Sequence, residues 1–102
     1  MFNKLERIAR LNPNAVDFER TKFNYGRKVD RLGITYKSGQ EISVIRGDGT
    51  YGGKHGLFEI AGFTPKGEIS KAVLGEYNTD LDCDPIGWLD EVDVSYYLMS
   101  VE

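Results

Sequence analysis

The sequence predicts an α+β fold: a small antiparallel sheet of four to five strands, arranged as a meander, with helices from both chain ends packed on one face. Three observations carry this. Apolar residues recur at helical spacing near both termini, in Phe2, Leu5, Ile8, Ala9 and Leu11 and again in Val94, Tyr97, Leu98 and Val101. Between them lie alternating or β-branched runs separated by Gly- and Pro-containing turns. At 102 residues and 40% hydrophobic content, the chain suffices for one core without disulfides or metals.

The expected divisions are a helical, basic segment over 1–31, a β-meander over 32–89 and a C-terminal helix over 90–101. The first helix should end before Pro13. Asn12 and Pro13 suit the cap and first position of a second helix, with Ala15, Val16 and Phe18 facing inward to about Thr21. Residues 22–31 are polar and basic, interrupted by Tyr25-Gly26, and read as a connection. Strands are expected over 32–37, 41–46, 57–63, 68–74 and 85–89, with Ser38-Gly39-Gln40 and Thr64-Pro65-Lys66-Gly67 as turns. Asp90, with Asp93 three residues on, should cap the terminal helix at the positive end of its dipole.

Charge is unevenly divided. Residues 1–31 carry +4 and residues 32–102 carry −7, for a net charge of −3; from Glu76 onward there are eight acids and no base. Either the basic segment lies against the acidic one, or two faces of opposite sign meet different partners. The net charge makes nucleic acid the least favoured partner, with residues 20–31 as its only candidate surface. A single cysteine, Cys83, excludes an internal disulfide and suits a reducing cytoplasm. No apolar run is long enough to span a bilayer, so no membrane role is expected.

Residues 46–56 are the unusual stretch. They hold five of the twelve glycines and the only histidine, between two expected strands. Gly47-Asp48-Gly49-Thr50-Tyr51-Gly52 fits G-x-G-x-x-G, but a dinucleotide site needs a helix after that loop, and here a strand follows. A strand, glycine loop and strand also match the phosphate-covering loop of protein kinases as text. The chain is too short for a kinase body and lacks its other motifs. What survives is a long hairpin connection in which glycines would let amides approach an anion. The ligand candidates are Arg46, Gly47, Gly49, Tyr51, Gly52, Gly53, Lys54 and His55, and a phosphate-bearing small molecule is the ligand class. Arg46-Gly47-Asp48 matches an integrin-binding tripeptide, a three-residue coincidence in an intracellular chain.

His55 is the one group suited to proton transfer near neutral pH, yet no nucleophile elbow or triad spacing accompanies it, so no catalytic residues are assigned and no enzyme is expected. Asp80, Asp82, Asp84 and Glu91 fall on calcium-loop positions, but Pro85 stands where that loop needs glycine. No metal site and no cofactor are expected. Trp88, Tyr96 and Tyr97 are candidates for a protein interface, because aromatic groups anchor such surfaces.

Ile42-Ser43-Val44-Ile45-Arg46-Gly47, Tyr51-Gly52-Gly53, Gly56-Leu57-Phe58-Glu59-Ile60-Ala61 and Ile86-Gly87-Trp88-Leu89 before an acid-capped helix carry a family likeness. Over roughly residues 32–101 the chain resembles small accessory proteins encoded by tailed bacteriophages and prophages. That resemblance brings no catalytic residues. It implies a protein made in the cytoplasm of a bacterial host that binds and modulates a host or phage protein, counter-defence being one form of such a role. The alternative from the residues themselves is a phosphate or nucleotide binder using loop 46–56.

Overall fold

A computed structural model describes residues 2–24, 28–50, 52–75 and 85–101. Helix α1 (Asn3–Ala9) is followed by strands β1 (Ala15–Asn24), β2 (Lys28–Tyr36), β3 (Glu41–Gly47), β4 (Phe58–Phe63) and β5 (Ile86–Leu89), and the chain closes with α2 (Glu91–Ser100). The five strands form one sheet in the order β1-β2-β3-β4-β5, each pair antiparallel. This is the meander expected for the α+β fold, with both helices on one face.

The register explains that one-sidedness. Tyr36, Ile34 and Leu32 of β2 stand opposite Ala15, Phe18 and Arg20 of β1, while Ile42 and Val44 of β3 pair with Gly62 and Ile60 of β4. The apolar residues of these strands share one pleat face with Phe58, and the core joins them to Phe2, Leu5 and Ala9 of the N-terminal segment and to Val94, Leu98 and Val101 of the C-terminal one. Phe2, just before α1, meets Phe58 of β4 with ring centroids 6.1 Å apart, and α1 itself packs against α2. On the other face Arg31 donates to the hydroxyl of Ser43 (2.9 Å) and to the carboxylate of Glu41 (2.5 Å).

Three expected elements are different in the structure. Residues 15–24 form an edge strand, not a second helix, and residues 28–31 extend β2 where a connection was expected. The alternation of β1 is obscured by an irregularity in register between Ala15 and Asp17, which lets Ala15 and Phe18 both pack toward the core. Asn12 consequently starts no helix. Its Oδ1 accepts from the Asn14 amide at 2.9 Å in a turn that leads into β1. Residues 68–74 are not a strand either. They make a single bridge, Phe63 to Ile69, and then a 3-10 turn over Lys71–Leu74 that buries Val73 and Leu74. The Ser70 hydroxyl accepts from the Ala72 amide at 3.2 Å and favours the turn over continued pairing.

The charge division resolves locally. Among the described residues, Arg10 and Arg20 pair with Glu6 inside the basic segment, and Lys4 reaches the acidic end at Glu91 (3.4 Å). Exposed pairs of this kind add little stability.

A buried polar anchor does more. The side-chain amide of Asn12, 3% exposed, donates to the carbonyls of Leu98 (3.1 Å) and Val101 (2.9 Å), and the Tyr36 hydroxyl donates to Leu98 as well (3.0 Å). These are the carbonyls that a helix C-terminus leaves without partners. Burial pushes the Tyr36 hydroxyl well above the usual phenol range.

Two outcomes follow for denaturant titrations. Asn12→Ala should cost about 2 kcal/mol, because it removes the side-chain donor to the Val101 carbonyl and one of the two to Leu98, and Tyr36→Phe about 1 kcal/mol. The neutral Tyr36 contributes stability that is complete below the unfolded phenol pKa of about 10 and is lost as pH rises above it. The alkaline fall in stability should therefore be shallower in Tyr36→Phe than in the wild type.

Candidate functional site

The 46–56 loop joins β3 to β4, as a long hairpin connection should, and its internal bonding is dense. The Asp48 amide donates to the Lys28 carbonyl (3.0 Å), and the Lys28 amide donates back to the Asp48 carboxylate (3.1 Å). The Thr50 hydroxyl accepts from the Gly47 amide (3.0 Å) and donates to the Gly47 carbonyl (2.8 Å). A 3-10 turn, Gly53–His55, completes the loop, with the amides of His55 and Leu57 both donating to Gly52. Gly53 has a steric reason: a Cβ there would lie 2.2 Å from the Gly47 carbonyl oxygen.

This bonding changes what the loop offers a ligand. The amides of Gly47, Asp48, Thr50, Gly53, His55 and Gly56 already donate to protein oxygens, so they do not form an open nest for an anion. Arg46 is engaged too. Its guanidinium lies 4.8 Å from the centre of the Phe58 ring and donates to the Gly56 carbonyl (3.0 Å). The Arg-Gly-Asp tripeptide thus has both charged members in intramolecular contacts.

The structure divides the expected ligand residues. Gly49, Gly52, Lys54 and His55 line a cleft of about 230 Å³ together with Thr50 and Trp88, whereas Arg46, Gly47 and Gly53 do not line it. Tyr51 lies outside the described residues, as do Cys83 and the calcium-pattern residues Asp80, Asp82 and Asp84. Trp88 reaches the cleft from β5, and its ring packs against that of His55 at 5.6 Å between centroids, tilted by 34°. Gly52 makes room for this, since a Cβ on it would sit 3.1 Å from the Trp88 Cα. Trp88 is 59% exposed and has φ of +61°, a conformation that L side chains avoid. Among the described residues it is the one non-glycine so placed.

Trp88 is therefore separated from the other two aromatic candidates. Tyr96 and Tyr97 border a second groove, of about 420 Å³, with Leu89, Val92 and Asp93. Their rings meet edge to face at 5.7 Å. Helix α2 begins with the expected capping box: the Asp93 amide donates to Asp90 Oδ1 (2.8 Å) and the Asp90 amide to Asp93 Oδ2 (3.3 Å). It buries Val94 and Leu98, yet its opposite face carries Val92 (77% exposed), Tyr96 (69%) and Met99 (43%) at positions i, i+4 and i+7. Val92 and Met99 were not among the residues singled out from sequence, although their spacing with Tyr96 is visible in it.

No family model, no curated protein and no solved structure matches the chain.

The backbone at Trp88 gives a direct check. At an ordinary strand position Ala is more stable than Gly; at positive φ the order reverses. Trp88→Gly should be more stable than Trp88→Ala by about 1 kcal/mol in chemical denaturation. The opposite order would show that Trp88 has ordinary strand geometry in solution.

Proposed function

We propose that the protein is a phage-type accessory protein that binds and modulates a host or phage protein in the bacterial cytoplasm, using the outer face of α2. One observation carries the reading: α2 has a second apolar stripe, Val92, Tyr96 and Met99, on the side away from its buried one. Anchors at i, i+4 and i+7 are the pattern by which a helix enters a partner's groove. The resemblance of residues 32–101 to phage and prophage accessory proteins supports the same class of function.

The rim of this face defines the partner's chemistry. Asp90 and Asp93 lie at its N-terminal end, and the sequence carries no base after Lys71. A complementary partner presents a groove with apolar walls and Lys or Arg at its edge, which speeds encounter and makes the rate salt-dependent.

The test is affinity purification from bacterial lysate with the wild type and with Val92→Ser/Tyr96→Ser. Both side chains are exposed, so the variant should keep its melting temperature within a few degrees while losing the partner that the wild type retains. A partner held equally by a folded variant would place the interface elsewhere on the molecule.

A further inference from the structure

The cleft between loop 46–56 and β5 has a chemistry that α2 lacks. We propose that it binds a nucleoside phosphate, stacking the base on Trp88 and holding the phosphate at Lys54 and His55. This proposal is independent of the α2 interface. It moves the ligand site away from Arg46 and the loop amides, which are already engaged within the protein.

Three features of the cleft select that ligand class. First, the indole is held from one side by the His55 ring at 5.6 Å, while more than half of Trp88 stays in solvent to receive a second ring. Tryptophan supplies the broad π-face on which bases stack without regard to sequence. Second, Lys54 and His55 are adjacent and exposed at the rim, and no carboxylate lines the cleft among the described residues. Asp48, which adjoins Gly49 in sequence, has its carboxylate engaged by the Lys28 amide. This is a local cationic point on a chain of net charge −3. Third, about 230 Å³ is below the roughly 300–1,000 Å³ of pockets that engulf drug-sized ligands. It suits one ring system with the remainder of the molecule in solvent.

The presentation is also built in. Gly52 lets the loop touch the Trp88 backbone, and the positive φ at Trp88 aims the indole toward the loop. Residues held in disfavoured backbone conformations cluster at ligand sites, where the surrounding structure maintains them.

Trp88 is the only tryptophan, so its emission reports on this cleft alone. The full chain is titrated with AMP and with GMP under selective tryptophan excitation, with adenosine and ribose 5-phosphate as the ring-only and phosphate-only probes. AMP or GMP should quench the emission saturably, and each half-ligand should bind at least about tenfold more weakly, since stacking and charge each contribute on that scale. Lys54→Ala/His55→Ala should weaken AMP binding by about tenfold or more, and Lys54→Glu serves as the second variant. Val92→Ser/Tyr96→Ser should bind AMP as the wild type does. A 5′-phosphorylated tetranucleotide distinguishes the sources: tighter binding than AMP assigns the end of a strand, and equal binding assigns the free nucleotide. The proposal is overturned if neither AMP nor GMP alters the emission at millimolar concentration, or if folded Lys54 and His55 variants are quenched like the wild type.

Discussion

The carbonyl oxygen of Leu98 accepts two side-chain hydrogen bonds, one from Tyr36 on β2 and one from Asn12 in the turn after α1. With the Asn12 bond to Val101, they replace the partners that the end of α2 would otherwise lack. Because both donors are buried, the bonds face no competition from water. They tie the two chain ends to β2 and fix the rotation of α2 about its axis. Val94 and Leu98 then face the sheet, and Val92, Tyr96 and Met99 face outward. The exposed apolar stripe is thus a consequence of a specified docking geometry.

The same sheet positions the second candidate surface. β3 and β4 diverge into loop 46–56, and β5 lies beside β4 so that Trp88 meets the loop. Arg46 and Thr50 close the base of the loop with local hydrogen bonds. Lys54 and His55 remain at its exposed side. The glycines serve the compactness of this turn: Gly53 lets the 3-10 turn pass close to Gly47. A loop that looks from its composition like a phosphate cradle is, in three dimensions, mostly a self-bonded connection with one useful edge.

Legibility in the sequence followed the physics of each element. The ends of the chain were readable because Leu5 and Ala9, and Val94 and Leu98, recur at helical spacing, and Asp90 with Asp93 announce a cap. β3 and β4 were readable because each is a short apolar or β-branched run, Ile42 to Ile45 and Phe58 to Phe63, bounded by turn residues. β1 was not, for two reasons. Its register irregularity breaks the alternation, and as an edge strand it carries Asp17, Glu19, Arg20 and Lys22, which protect an open edge from unwanted pairing. Asn12 has the chemistry of a capping residue, but the helix end it serves is that of α2, whose carbonyls lie 86 and 89 residues away in sequence. The conformation of Trp88 and its contact with His55 are tertiary properties with no local signal. The spacing of Val92, Tyr96 and Met99 is visible in the sequence, but the opposite stripe of the same helix is the more apolar and dominates the pattern.

The central claim is that Asn12 and Tyr36 act together on one carbonyl to set α2. A double-mutant cycle of Asn12→Ala and Tyr36→Phe, measured by denaturant unfolding, tests it most directly. With either donor present the Leu98 carbonyl keeps a partner; with both removed it is orphaned. The double variant should therefore lose more stability than the two single losses combined, by about 0.5 kcal/mol or more. Additivity within about 0.3 kcal/mol would contradict a shared anchor.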